Sequence, residues 1–330
     1  EPSCLQANET FAVQQARIDP RGITGTLVLT GDTPPDQAFD RFVEFAKQAG
    51  ERLVVLQFGS GETVKRSVLG FVTPWQSSES TRLEVVRITD EVSCRHAAKV
   101  IAGATAVWLA GNNDATEMGM DAELRAAITN ILQRDGIVGC SGRLTASFGD
   151  CVVSPDDAAV SVCASHTTLK LLPDSIIYAP SDEASDEFVR CATNRHPHLV
   201  GYVIESDSAL IVKGRRLRAV GPGRVQVYLA QADGRASDPV TLSKNNIGDL
   251  TAFRRAARDR CADPFPPQHP DAPVVEHGTL IAIGGDGMPS GLVDRFVELA
   301  GGKDASIVVL PTAMPDPVRR RNGMARSFRD

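Results

Sequence analysis

No apolar run among the 330 residues of this chain approaches the roughly 20 needed to cross a bilayer. Zinc and dithiol chemistry lack their spacing too. The seven cysteines (Cys4, Cys94, Cys140, Cys151, Cys163, Cys191 and Cys261) are scattered, and no two stand in C-x-x-C. No metal or other cofactor is therefore implied. One or two disulfides would fit an exported protein, but spacing does not select the pairs and cysteine usage does not settle the compartment. A dominant charge sign is also missing. With 35 Lys and Arg against 41 Asp and Glu, the formal charge is −6, which gives no electrostatic reason to expect nucleic acid or an anionic membrane as a partner. The clusters Arg215, Arg216, Arg218 and Arg319, Arg320, Arg321 read as solvated faces. Phosphate loops fare no better. The stretch from Gly59 to Lys65 lacks the Walker spacing, and Gly31-Asp32 is not a G-x-G-x-x-G turn. The chain opens on Glu1 without Met. A removed secretory signal accounts for that, as does a shortened chain, and a secreted or periplasmic location is the expectation over a cytoplasmic one.

What the chain does contain is a stretch that occurs twice. Residues 25–56 read GTLVLTGDTPPDQAFDRFVEFAKQAGERLVVL, and residues 278–310 read GTLIAIGGDGMPSGLVDRFVELAGGKDASIVVL. Both open Gly-Thr-Leu, share Asp-Arg-Phe-Val-Glu, and close on a β-branched run. The period is that of a whole domain. The expected layout is a lead-in over 1–22, an α/β domain over 23–260, a Pro-rich linker over 261–276, and the start of a second copy over 277–330. The stretch 319–330 reads as a helix with no strand after it.

Within the first copy, compact apolar runs alternate with amphipathic stretches. Strands are predicted over 26–29, 53–57, 83–88, 106–110 and 137–139, and helices over 35–49, 93–101 and 122–134. Ala38, Phe42, Phe45 and Ala49 share one face of the first helix at three-to-four spacing. This alternation predicts a mostly parallel sheet flanked by helices. From about residue 176 the pattern changes. Short strands over 199–204, 209–213, 217–220 and 225–229, separated by tight Gly turns, predict antiparallel hairpins closing the domain.

The run Gly139-Cys140-Ser141-Gly142-Arg143 follows a predicted strand and precedes a helical pattern. A hydroxyl on such a turn is how α/β hydrolases present a nucleophile, with helix N–H groups facing the oxyanion. The same Gly-x-Ser is equally the cap of a helix.

Together with Gly25-Thr-Leu to Gly31, the turn from Leu109 to Asp114, Leu171-Leu-Pro-Asp174, and His198 to Leu210 (with Glu205), this run resembles the cyanophycinase-like serine peptidases. The resemblance covers about residues 24–230 and implies a fold like that of class I glutamine amidotransferases. It also implies a Ser nucleophile, a His base and an acidic orienting residue, acting on peptide or isopeptide bonds. Self-association is common in that family, so a homo-oligomer is a further expectation.

Carried over residue by residue, the resemblance makes Ser141 the nucleophile and Glu205 the orienting acid, with Asp114 and Arg143 in the substrate pocket. A small Gly is expected where Arg143 stands. Aligned without a gap, Gly142 takes the nucleophile position and Ser141 precedes it. The family's His turn is replaced by an acidic stretch through Asp182, Glu183, Asp186 and Glu187, and no His lies between His166 and His196. A hydroxyl without a base is a poor nucleophile. The sequence therefore implies a first domain that has lost its catalytic apparatus and acts structurally or in binding. The alternatives are an active serine exopeptidase or isopeptidase using Ser141 with His166 as base, and a pure interaction module.

Overall fold

The computed structural model describes residues 18–50, 52–58, 82–111, 120–153, 161–162, 168–180, 186–232, 238–243, 246–261, 277–283 and 289–308. The lead-in before Ile18, the loop 59–65, the stretch 262–276 and the expected helix 319–330 lie outside those residues. The chain divides into two units, Glu1–Ala262 and Asp263–Asp330.

In the first unit, strands β1 (Thr26–Thr30), β2 (Arg52–Phe58), β3 (Arg82–Ile88), β4 (Ala106–Gly111) and β5 (Ile137–Ser141) alternate with helices α1 (Asp36–Ala49), α2 (Glu91–Ile101) and α3 (Ala122–Gln133). The neighbours β1–β5, β5–β4, β4–β2 and β2–β3 are all parallel. The period of two along each strand sorts side chains to opposite faces. Leu27, Leu29, Val54, Leu56, Val107 and Leu109 pack with Ala97 and Ile101 of α2 and Leu124 and Ile128 of α3. Val28, Leu53, Val55 and Trp108 pack on the other face with Phe39, Phe42, Val43 and Ala46 of α1. The Phe42 ring meets the Trp108 indole edge-on at 5.1 Å. Gly139 has no room for a side chain, since a Cβ there would lie 2.1 Å from the Trp108 ring.

Helix α2 begins two residues before the predicted start. The Asp90 carboxylate accepts the Ser93 N–H at 2.8 Å, and the Ser93 hydroxyl accepts the Asp90 N–H at 3.0 Å. That reciprocal cap moves the boundary back to Asp90. Strand β5 runs two residues past its predicted end because pairing with β4 continues to Ala110 opposite Ser141.

The later strands divide between two sheets. β10 (Ala209–Lys213) pairs antiparallel with β1 and, through a turn at Gly214, with β11 (Arg216–Val220), and β14 (Gly248–Asp249) follows. The result is one eight-stranded sheet in the order β14-β11-β10-β1-β5-β4-β2-β3. A second sheet holds β13 (Val240–Leu242), β12 (Val225–Tyr228), β9 (Val200–Ile204) and β8 (Ser175–Tyr178) in that order. A two-stranded hairpin pairs β6 (Val152–Val153) with β7 (Ser161–Val162). β9 pairs with β8 and β12 rather than folding back on β10, so the four predicted strands are not one run of hairpins. Burial explains the division. Val200, Tyr202 and Ile204 face the large core, while Val203 faces Val189 of α4 (Glu187–Arg195) and Tyr228. A strand apolar on both faces needs a covered sheet, not an exposed edge. Helix α5 (Leu250–Asp259) ends the unit, capped by Asp249 on the Thr251 and Ala252 N–H groups.

In the second unit the described element is one helix, α6 (Leu292–Leu299). It carries the same Asp-Arg-Phe-Val-Glu as α1, yet none of its residues is buried, and residues 278–283 form no strand.

Candidate active site

In a doubly wound sheet, ligands bind beyond the carboxyl ends of the parallel strands. Here those ends are Thr30-Gly31-Asp32 after β1, Gly111 at the end of β4, and Ser141-Gly142 at the end of β5. The 3-10 helix Gly142–Phe148 starts there. Backbone bonds sew the three ends together. Gly142 N–H donates to Gly31 O at 3.0 Å. The Thr145 hydroxyl donates to Thr30 O at 2.9 Å, and the Thr30 hydroxyl to Cys140 O at 3.2 Å. Gly31 is held against the next loop so closely that a Cβ would lie 2.2 Å from Glu205 O.

A nucleophile elbow presents its side chain from a strained residue at the strand-to-helix turn. Ser141 is not in that conformation. Its φ of −125° and ψ of 150° are those of an ordinary strand, and it is 3% exposed. The left-handed residue is Gly142, at φ 69°. The left-handed position of this turn therefore carries no side chain. A Cβ on Gly142 would sit 3.2 Å from Asp32 Oδ1 and 3.4 Å from Gly111 O. Two oxygens thus border the space a nucleophile would fill, and one belongs to a carboxylate. Acyl transfer needs hydrogen-bond donors where negative charge develops, and this arrangement supplies acceptors. The sequence reading gave Asp32 no role in the site. The available signal was the repeat itself, whose second copy has Gly285 at the matching position. Cys140 offers no substitute nucleophile, because full burial pushes its thiol far above the ordinary range.

The remaining predicted site residues are dispersed. Arg143 is exposed at the start of the 3-10 helix. Its charge partly offsets the effect of burial, which raises the Tyr178 phenol. Glu205 lies just beyond β9, where its carboxylate accepts the Arg224 N–H at 2.7 Å and Arg224 Nε at 2.8 Å. It grips the residue that leads into the neighbouring strand β12. His196 and His198 lie at the other end of β9, and that five-residue strand spans about 16 Å at roughly 3.3 Å per residue. Burial holds both imidazoles below their ordinary pKa. Asp114 and His166 lie outside the described residues. Among the described residues, no group of three or more His, Cys, Asp or Glu side chains is placed to hold a metal ion. No helix there is long and apolar enough to cross a membrane.

No protein-family model matches the chain, and no curated protein matches its sequence. Solved structures do resemble it. A peptidase from an acI-B1 actinobacterium superposes with a TM-score of 0.54 at 10% identity, covering 69% of this chain and 98% of that one. A putative peptidase E protein from Listeria monocytogenes EGD-e gives a TM-score of 0.42 at 11% identity, covering 61% of this chain and 100% of that one. The first likeness is one of fold: a mixed, mostly parallel sheet flanked by helices, on a backbone that a peptidase also uses.

Proposed function

We propose that residues 23–260 form a catalytically degenerate domain of the cyanophycinase-like serine peptidase type. In this reading the domain serves a structural or binding role beside a second copy of the same domain that opens at Gly278. The observation that carries it is the elbow. Its left-handed position is Gly142, Asp32 places a carboxylate oxygen beside the space a nucleophile would need, and Ser141 is extended and buried in β5. Glu205 adds to the case, since its carboxylate holds Arg224 instead of an imidazole.

The test is fluorophosphonate labelling of the intact chain, read by peptide mapping, beside hydrolysis assays on short peptides and isopeptides. No label at Ser141 and no turnover are expected. Labelling and hydrolysis that both vanish in Ser141→Ala would overturn the reading and restore the alternative of an active exopeptidase or isopeptidase.

A further inference from the structure

Arg215, Arg216 and Arg218 form one cluster in the sequence, but the fold divides them. Arg215 turns to Asp249, with Nε to Oδ2 at 2.9 Å. Arg216 and Arg218 share one face of β11, opposite to Leu217 and Ala219, which enter the core. Both are exposed, and neither meets a carboxylate at ion-pair distance among the described residues. The register sets Lys213 opposite Arg216 and Ile211 opposite Arg218. Opposed residues point to the same face of a sheet. Ile211 belongs to the core that α1 covers, so the two arginines lie on the α1 side.

Among the described helices of this unit, α1 alone packs on that face. Its flank borders β10 and β11. Lys213 Nζ lies 5.1 Å from the Phe45 ring, and Gln37 Oε1 accepts the Gly221 N–H at 3.1 Å. Helices pack side by side at about 8–10 Å, and two strand spacings come to about 9.5 Å. The floor beside α1 is therefore one helix wide, and its cations are Lys213, Arg216 and Arg218. The outward face of α1 carries the opposite charge, in Asp40 and Glu44 one turn apart. Asp40 makes no ion pair among the described residues, and Glu44 holds Arg41 at 2.6 Å where both are about half exposed. A cationic trough beside a helix that presents carboxylates is complementary to a copy of itself, as an isologous contact requires.

We propose that this face is a two-fold interface, in which α1 of a second copy of the chain lies beside α1 and over β10 and β11. A two-fold axis parallel to the strands places each α1 over the other copy's β11, and it conserves level along the strands. Gln37 stands level with Gly221, and Phe45 with Lys213, so Asp40 and Glu44 fall between them, where Arg218 projects. The partner's Asp40 and Glu44 then flank Arg218, with Arg216 one pleat further along, about 7 Å away. Phe45 and Gln48 lie near the axis and meet their own copies. Removal of water strengthens these charge contacts over what they are worth on an open surface. A nucleic acid fits the trough less well, because the chain carries a formal charge of −6 and five-residue β11 spans only about 16 Å. The interface lies on the face of the sheet, apart from the strand ends of the candidate site. It does not depend on the catalytic reading.

The experiment is sedimentation velocity on the full chain over a range of concentrations and salt. A monomer–dimer equilibrium that shifts towards monomer as salt rises is expected. Arg218→Glu and Asp40→Arg should each weaken association by about tenfold or more, since each sets like charges together twice across the axis. An equimolar mixture of the two variants should regain the parent's affinity, because both contacts are then complementary again. A chain that stays monomeric at its solubility limit overturns the proposal. So does a dimer indifferent to both substitutions, or a mixture that stays apart. Should either variant not fold, Gln48→Cys decides, since that position is exposed on α1. A short thiol-to-thiol cross-linker should join position 48 to its own copy, read by peptide mapping, and leave Glu123→Cys on α3 unjoined. No link at position 48, or an equal link at position 123, overturns the interface.

Discussion

The Gly142 N–H donates to Gly31 O at 3.0 Å, tying the end of β5 to the end of β1. Gly142 takes φ 69° to do so. An L side chain there costs on the order of 1–2 kcal/mol from the left-handed backbone alone. Gly142→Ala and Gly142→Ser should each lower unfolding stability by at least that amount in urea titrations. Gly142→Ser should still hydrolyse no peptide, since Asp32 faces the new side chain. Stability equal to the parent, or turnover by Gly142→Ser, would contradict this account of the elbow.

Phe42 and Phe296 hold the same place in the two copies of Asp-Arg-Phe-Val-Glu, yet Phe42 is 0% exposed and Phe296 is 38% exposed. Removing a buried Phe costs about 3–5 kcal/mol through lost burial and the cavity left behind. Phe42→Ala should therefore shift the main urea transition strongly. Phe296→Ala should move it by less than about 1 kcal/mol, as a partly exposed site would. Comparable shifts would mean that the two helices are equally buried.

Asp174 anchors α5. Its Oδ2 accepts Arg254 Nε at 2.8 Å and Arg258 Nη2 at 2.9 Å, with the three side chains only 7%, 16% and 20% exposed for Arg254, Arg258 and Asp174. Breaking one partner of a buried pair strands the other, at a cost of about 3–5 kcal/mol. The φ of 57° at Asp174 is one that Asn tolerates. Asp174→Asn thus isolates the charge from the backbone, and a loss of at least about 2 kcal/mol is expected from chemical denaturation. A loss within about 0.5 kcal/mol, as at ordinary surface sites, would show that the pair contributes little.

The Tyr228 hydroxyl donates to Asp186 Oδ2 at 2.8 Å. Burial first, and then this bond, push the phenol from 10.0 up to about 12. The bond to Tyr228 is also the first cause that holds the Asp186 carboxyl below its ordinary value. The signs follow from linkage. The raised phenol contributes stability that is complete below pH 10.0 and lost as pH rises towards about 12. The depressed carboxyl contributes stability present above its unfolded value of 3.8 and lost as pH falls through its lower folded value. Tyr228→Phe should flatten both limbs of the stability–pH curve, measured by urea midpoints at each pH. Unchanged limbs would show that the pair does not couple to folding.

Much of the fold is legible in the sequence alone. β1, β2, β4 and β10 are short apolar runs bounded by breakers, and α1 carries its buried face at three-to-four spacing. Such patterns are local, and local chemistry states them. The starts and ends were less legible, because the Asp90–Ser93 cap and the Ala110–Ser141 pairing are contacts whose energy lies in geometry. The later strands look alike in sequence. Membership of one sheet or the other depends on which side of β9 the core and α4 occupy.

The sequence by itself determined the α/β class, the repeat, and the absence of a His turn where the resemblance requires one. Those are matters of residue identity and order, and folding cannot change them. Only the tertiary structure decided that Gly142 rather than Ser141 takes the left-handed turn, that Asp32 faces that turn, and that Glu205 holds Arg224. Each of these joins residues distant in the chain through a backbone angle or a directed bond. Neither quantity is encoded in the spacing of residue types.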